Sequence, residues 1–191
     1  MFIALLVHGI LDSEYLGNYE VKTPMSELEQ DQYWMSQALE YADKAQQQDE
    51  IPVGAVIVKD NQIIAAGWNQ SICNHDPSAH AEMQAVRKAG QVLENYRLVD
   101  CTLYVTLEPC PMCAGLLVHS RIKRVVFGAK DAKTGAVGSI MNLVREPKLN
   151  HQLEVTEGVL AQLCSEKISA FFKTRRQEIK AAKKLKKAAQ G

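Results

Sequence analysis

Two short stretches constrain the fold of this chain more tightly than any other feature of its sequence. They are His80-Ala81-Glu82 and Pro109-Cys110-Pro111-Met112-Cys113, and each is predicted to open a helix. The start of a helix carries unpaired amide groups and a partial positive charge, which favour the thiolate form of a cysteine. Two residues separate the cysteines, so both sulfurs lie on one helical turn and can converge on a single ion. The histidine offers an imidazole from the other helix start.

The donor set and a neighbouring acid indicate a catalytic zinc. Three protein ligands, one nitrogen and two sulfurs, leave the fourth tetrahedral position of zinc for water. Two thiolates cancel the charge of the ion, so it acidifies that water less than a site of three imidazoles would. Glu82 stands two residues from His80 and is not expected to be a ligand. We predict that it takes a proton from the water and returns it to a leaving amine.

A structural zinc is the alternative, with Cys73, Cys101 or Cys164 as the fourth ligand. A closed site of that kind has no use for Glu82, so the catalytic interpretation is favoured, and the three further cysteines are predicted to be ordinary buried thiols. Five scattered cysteines do not resemble a disulfide framework. They favour a reducing, cytoplasmic setting.

Hydrophobic periodicity predicts helices alternating with strands. Ser26 and Glu29 have the spacing of a capping box, and a first amphipathic helix is predicted over residues 27–47. The predicted strands cover residues 53–58, 63–68, 101–107, 122–127 and 153–157, and further helices begin near residues 79, 111 and 159. This order is typical of an α/β domain with three layers, α/β/α, around a five-stranded mixed sheet.

The two stretches match the His-x-Glu and Pro-Cys-x-x-Cys signature of zinc-dependent nucleobase deaminases. Further segments resemble the bacterial tRNA-specific adenosine deaminase family: Val53-Gly54-Ala55, Gly67-Trp68-Asn69, His75-Asp76-Pro77, Leu107-Glu108-Pro109-Cys110, the loop Asp131–Gly135, and Phe171-Phe172-Lys173 with Arg175-Arg176. The resemblance covers about residues 31–180 of the chain.

This resemblance implies a cytidine-deaminase-like fold and the hydrolytic deamination of adenosine to inosine at the wobble position of a tRNA anticodon. It also implies one zinc ion per subunit, a tRNA anticodon stem-loop as partner and a homodimer. His80, Cys110 and Cys113 match the zinc ligands of the family, and Glu82 matches its proton shuttle.

Three further positions match substrate-binding residues of the family. Asn69 matches the pocket residue that contacts the target nucleotide, although on residue type alone an asparagine here would be a loop cap. Asp131 and Lys133 lie in a loop that resembles the RNA-contacting loop of the family.

Charge is distributed unevenly along the chain. Formal net charge is zero, from 22 Lys+Arg against 22 Asp+Glu, but residues 173–187 contain eight basic residues and one acid, Glu178. A basic end on an acidic body favours contact with a polyanion, although solvated tails often share this composition.

We therefore predict three parts in the chain: an N-terminal extension of residues 1–24 that is poorly ordered, a zinc deaminase domain of residues 25–175, and a basic helix or tail of residues 176–191. The apolar run Phe2–Leu11 is shorter than the roughly 20 residues that cross a bilayer, and no Lys or Arg precedes it. Neither a membrane span nor a signal peptide is expected.

Two other functions remain open at the level of sequence. The metal motif also suits a deaminase of a free nucleobase or nucleotide, such as guanine, cytidine or deoxycytidylate. The loop Asp131–Gly135 and the basic C-terminus favour RNA over such a small substrate. A non-catalytic RNA-binding module stabilised by zinc is the third hypothesis, and Glu82 argues against it.

Overall fold

The predicted order of helices and strands is present in the computed structural model, which describes residues 25–188. The elements are α1 (Glu27–Gln47), β1 (Gly54–Lys59), β2 (Gln62–Trp68), α2 (Ala81–Val92), β3 (Thr102–Leu107), α3 (Pro111–His119), β4 (Arg124–Ala129), β5 (Glu154–Glu157) and α4 (Ala161–Ala188). The bounds predicted for α1 are confirmed, and the other predicted starts lie within two residues of the observed ones. A 3-10 turn at Leu143–Arg145 was not predicted.

The strands form one mixed sheet in the order β2-β1-β3-β4-β5. Strand β1 is antiparallel to β2 and β3, whereas β3, β4 and β5 run parallel to one another. Helices α2 and α3 pack into the core on one face of the sheet, and α1 and α4 pack on the other. The predicted three-layer architecture is therefore confirmed.

The central strands are apolar at nearly every position because both faces of the sheet are covered. Successive residues of a strand point to opposite faces. One face contributes Ile57, Leu103, Val105, Val125 and Phe127 to the core under α2 and α3, and the other contributes Val56, Val58, Tyr104 and Val126 to the core under α1 and α4. Continuous hydrophobic runs in the sequence follow from this double burial.

Helix α2 lies directly on the backbone of β2 at Gly67. A Cβ atom at this position would come 2.3 Å from the carbonyl oxygen of Ala81 and 2.6 Å from the amide nitrogen of Ala85. Only glycine permits so close an approach of helix and strand. Because Ala81 is the first residue of α2, this contact determines where the start of the helix lies against the end of β2.

A buried carboxylate holds α1 on the sheet. Asp31 is 3% exposed and accepts a bidentate pair of hydrogen bonds from Arg124, at 2.9 and 2.6 Å. The hydroxyl of Tyr104 donates a third hydrogen bond to Asp31 at 2.9 Å. These partners come from β4 and β3, so the network connects the helix to two central strands.

Replacing Asp31 should therefore destabilise the protein. The substitution Asp31→Ala leaves the guanidinium of Arg124, whose side chain is 14% exposed, without its buried bidentate partner, and we expect the free energy of unfolding to fall by about 3 kcal/mol. Glu27→Ala is the matched control, because Glu27 contacts the same guanidinium at 3.1 Å but is 78% exposed, and its loss should cost less than about 1 kcal/mol. Urea denaturation of both variants measures the difference; equal losses would contradict the assignment.

No helix among residues 25–188 combines the length and apolar character needed to cross a bilayer. Two predictions, a poorly ordered extension at residues 1–24 and the end of the basic tail beyond residue 188, lie outside the described residues. Helix α4 passes residue 176 without interruption.

Candidate metal centre and active site

His80, Cys110 and Cys113 come together at the edge of the sheet where β3 ends. The Nδ1 atom of His80 lies 3.6 Å from the Sγ atom of each cysteine, and the three donor atoms all lie within 4.8 Å of one another. A tetrahedral zinc with a Zn–N distance of about 2.1 Å and a Zn–S distance of about 2.3 Å requires a nitrogen–sulfur separation of about 3.6 Å. The donor set fits this ion in both geometry and ligand type.

The two helix starts predicted from the sequence position these donors. His80 is the N-cap residue of α2 and Cys110 is the N-cap residue of α3, and neither side chain caps its helix. Both side chains are therefore free to point toward an ion. Pro111 occupies the first turn of α3, where a missing N–H group costs nothing. Cys113 follows on the same turn and is fully buried.

Hydrogen bonding between the two cysteines shifts their pKa values in opposite directions. The thiol of Cys113 donates to the sulfur of Cys110, and together with the His80 ring this lowers the pKa of Cys110 to about 4. The pKa of Cys113 rises because Cys110 holds its proton and because the side chain is buried. The lowered pKa favours the thiolate form of Cys110, which is the form of cysteine that binds zinc.

Glu82 lies in the first turn of α2 beside this cluster. It is 4% exposed, and burial raises the pKa of its carboxyl group. It lines a cavity of about 160 Å³ together with His80, Cys110, Asn69 and Leu107. A carboxyl group with a raised pKa holds a proton more readily than a free one, which suits a group that must accept a proton and return it.

Asn69 is placed at the cavity by the packing of β2 against α2. It is buried, and its Oδ1 atom accepts a hydrogen bond of 3.0 Å from the amide of Ala81. The side chain thus does bind a helix start, as a cap would, and it also lines the cavity. With Oδ1 engaged, the Nδ2 group is the donor that Asn69 offers to a ligand.

Asp131 lies at the rim of the cavity, and its carboxylate closes its own turn. It accepts hydrogen bonds from the amides of Lys133 and Thr134, at 2.9 and 3.2 Å, and from the Thr134 hydroxyl. Partial burial raises the pKa of Asp131, but these hydrogen bonds outweigh burial and lower it overall. Lys133 is exposed and does not line the cavity. The structure therefore brings together six of the seven predicted site residues and places Lys133 on the outside.

Glu108 is a site residue that the sequence analysis did not single out. It is 2% exposed, stands two residues before Cys110, and lines the same cavity. Its carboxylate accepts hydrogen bonds from the amides of Asp131, Val137 and Ser139, at 3.0 to 3.1 Å, and from the Ser139 hydroxyl. It thereby fastens the whole loop 131–139 to the strand that leads into the metal ligands.

The environment of Glu108 keeps its carboxyl group ionised. Burial raises its pKa, but the hydrogen bonds from Ser139, Asp131 and Val137 outweigh burial and lower it. A Cβ atom on Gly135 would lie 2.4 Å from this carboxylate, so the loop must carry a glycine where it passes over the acid. A charged residue at the end of an apolar strand, directly before Pro109, was the signal available in the sequence.

Removing one acceptor oxygen from Glu108 should loosen the loop. In Glu108→Gln the new NH₂ group cannot accept from a backbone amide, and we expect the free energy of unfolding to fall by about 2 kcal/mol. Hydrogen exchange should rise at residues 131–139, while zinc content stays unchanged. Glu157→Gln, at an acid whose side chain is 52% exposed, serves as control. An unchanged exchange rate in the loop would refute the role of Glu108.

The metal content of the purified protein tests the ligand set. Cys113→Ser replaces a sulfur that faces His80 with a hydroxyl, which is a poor zinc ligand, so we expect zinc to fall well below one equivalent. Cys73→Ser is the control, because Cys73 lies outside the cluster and is exposed, so the prediction that this thiol is buried is wrong. Elemental analysis should find a full equivalent in the control, and a full equivalent in Cys113→Ser would remove Cys113 from the ligand set.

Known proteins have sequences similar to this one. The profile described as the cytidine and deoxycytidylate deaminase zinc-binding region matches residues 28–129, more than half of the chain. The tRNA-specific adenosine deaminase of Haemophilus influenzae is 57% identical over 83% of this chain and 92% of that protein. The tRNA-specific adenosine deaminase of Bacillus subtilis is 48% identical over 81% of this chain and 96% of that protein.

Solved structures share the fold. One from a study of A-to-I editing by tRNA:A34 deaminases at the wobble position of transfer RNA has a TM-score of 0.69 at 39% identity, and the match covers 71% of this chain and 98% of that chain. The family resemblance drawn from the motifs is confirmed, as is zinc as the metal. The chain belongs to the tRNA-specific adenosine deaminase family, within the zinc-binding cytidine and deoxycytidylate deaminases.

Proposed function

We propose that this protein converts adenosine to inosine at the wobble position of a tRNA anticodon by hydrolytic deamination. One observation carries the proposal: two of the three clustered zinc donors, His80 and Cys110, line a single cavity with the buried Glu82, and Asn69, Asp131 and Thr134 line the same cavity. The relatives named tRNA-specific adenosine deaminases support the choice of substrate.

His80, Cys110 and Cys113 hold the zinc in this proposal, and Glu82 moves the protons. When bound, zinc would lower the pKa of a water molecule in the cavity. Glu82 accepts a proton from that water and delivers it to the amine that leaves as ammonia, so one water is consumed for each amine released. The raised pKa of Glu82 suits this exchange because the carboxyl group must be able to hold the proton between the two steps.

The cavity is suited to a single base that has left its stack. Its volume of about 160 Å³ is below the roughly 300–1,000 Å³ of sites for drug-sized molecules. A base in a duplex cannot enter such a cavity, whereas a base in an anticodon loop is unpaired and can be extruded at low cost. We propose that the Nδ2 group of Asn69 donates to this nucleotide.

The loop that Glu108 anchors is proposed to contact the RNA around the target base. Asp131 shapes the turn through its hydrogen bonds to the backbone, and Lys133 projects from that turn as an exposed cation. An exposed lysine at the rim of a pocket is suited to a phosphate of the anticodon loop.

A homodimer is proposed as the functional state. A groove of about 490 Å³ between α2 and α3 is lined by Val86 and Leu116 together with Tyr96, whose side chain is 72% exposed. Polar residues such as Arg87 and Glu94 also line this groove, and an apolar surface with a polar rim is typical of protein interfaces. We also propose that the enzyme acts in the cytoplasm, because thiolate ligands and free cysteines suit a reducing compartment. Residues 25–175 are proposed to form the deaminase domain, with residues 1–24 and 176–191 as appendages.

Inosine formation in an anticodon stem-loop tests the proposed function. Glu82→Gln should keep its zinc and lower the rate of deamination by about 10² to 10⁴-fold, because the amide cannot carry the proton. Glu166→Gln, at an exposed acid on α4, should react like the unmodified enzyme. Mass spectrometry of the RNA and of parallel reactions with guanine, cytidine and deoxycytidylate separates the substrates. Deamination of a free base with no inosine in RNA would overturn the proposal.

A further inference from the structure

Helix α4 is much longer than its contact with the body of the protein. It has 28 residues, of which only Cys164 and Phe171 are buried. At a rise of 1.5 Å per residue, the part beyond Phe171 extends for about 25 Å. Its side chains from Phe172 onward are exposed, apart from the partly buried Arg175.

Basic side chains form a continuous stripe along this exposed part. The basic stripe consists of Lys173, Arg176, Lys180, Lys183, Lys184 and Lys187, all of them exposed. Apart from the adjacent Lys183 and Lys184, successive members are three or four residues apart, and at 100° per residue all six fall within about 100° of the helix circumference. The acid Glu178 lies on another side, where it pairs with Arg175 at 3.1 Å.

The stripe faces away from the body because the opposite side of α4 packs beside α1. Lys167 forms an ion pair with Asp43 of α1. Further along, Phe171, Thr174 and Glu178 line a groove together with Gln46 and Asp49 at the end of α1. These α4 residues are again three or four apart and lie on the side opposite the stripe.

The same contacts show that the stripe begins near the edge of the molecule that contains the cavity and extends outward from that edge. Asp43 lies beside Lys167, whereas Gln46 and Asp49 line a groove with α4 residues between Ala170 and Glu178, all of them further along that helix, so the two helices run in the same direction. Helix α1 ends at the segment that contains Ile51 and Val53, and both of these residues line the cavity. The last three turns of α4 therefore project from the edge at which the target base would enter.

We infer that the basic stripe binds the sugar-phosphate backbone of the tRNA stem that adjoins the anticodon loop. This inference rests on the proposed function, which places the loop nucleotide in the cavity. Residues 173–187 carry a formal charge of +7, so the remainder of the chain carries −7. A polyanion is drawn to the stripe and repelled by most of the body, which favours one mode of approach.

A membrane surface fits the stripe less well than RNA does. An interfacial helix needs an apolar face opposite its cations. The exposed large apolar residues of this part of the helix are Phe172, Ile179 and Leu185. Leu185 lies about 120° or more around the helix from the other two, and Phe172 lies next to the stripe, so the three do not form one face on the side opposite the cations.

Two double variants test the inference with matched charge and composition. Arg176→Gln with Lys187→Gln removes two cations from the stripe, and Arg175→Gln with Lys186→Gln removes one arginine and one lysine at adjacent positions off the stripe. For full-length tRNA at 0.1 M salt, we expect the stripe pair to lower kcat/KM roughly tenfold, and this loss should come from a higher KM. The slope of log(kcat/KM) against log[salt] should become less steep by about one to two. The off-stripe pair should stay within about twofold of the unmodified enzyme.

A shortened substrate locates the contact. On a hairpin that keeps the anticodon loop and only about three base pairs, both pairs of substitutions should leave kcat/KM unchanged, because the stem that the stripe would reach is missing. Equal effects of the two pairs on full-length tRNA, or no effect of either, would overturn the stripe as an RNA contact. The proposal would also be overturned if the stripe variant sedimented less with anionic phospholipid vesicles than the unmodified enzyme while its tRNA kinetics stayed unchanged.

The same measurements distinguish failure of this inference from failure of the proposed function. If the unmodified enzyme forms no inosine in tRNA, the proposed function is wrong. If it forms inosine and the two pairs behave alike, the function stands and the stripe proposal alone is wrong.

Discussion

The convergence of two helix starts at one edge of the sheet is the constraint on which the rest of the structure depends. His80 and Cys110 are the N-caps of α2 and α3, and their donor atoms must approach to 3.6 Å. That approach requires α2 to lie against the backbone of β2, which Gly67 permits. It also requires β3 to end at the same edge, because Cys110 follows this strand in the chain. The sheet order and the helix packing are therefore conditions for binding zinc.

Buried polar side chains connect this metal centre to the substrate side of the cavity. Asn69 uses its carbonyl oxygen on the first amide of α2, and Glu108 uses its carboxylate on three amides of the loop 131–139. In a region of low dielectric such hydrogen bonds are strong, and their loss leaves unpaired groups. The proposed contacts to the nucleotide are thus positioned by the same groups that stabilise the fold, so a change in one is expected to affect the other.

The basic stripe and the catalytic cavity lie on different parts of this molecule. The cavity contains the buried Glu82 and the partly buried Cys110, both with shifted pKa values, and it is small enough to exclude a duplex. The basic stripe, by contrast, is exposed to solvent along a helix that leaves the body. Attraction of a large anionic substrate needs long-range fields at the surface, whereas deamination needs a few groups shielded from water. The two functions are therefore placed on different parts of the fold.

The sequence by itself predicted the three donors that converge, the acid beside them, the order of the elements and the three layers, because helix starts and hydrophobic periods depend on neighbours a few residues apart. It did not reveal the role of Glu108, whose partners lie 23 to 31 residues away in the chain, or that Lys133 lies outside the cavity. It also did not indicate which side of α4 faces α1. These features depend on which distant segments meet after folding, and only the tertiary structure decides that, because contacts between remote residues leave no local pattern.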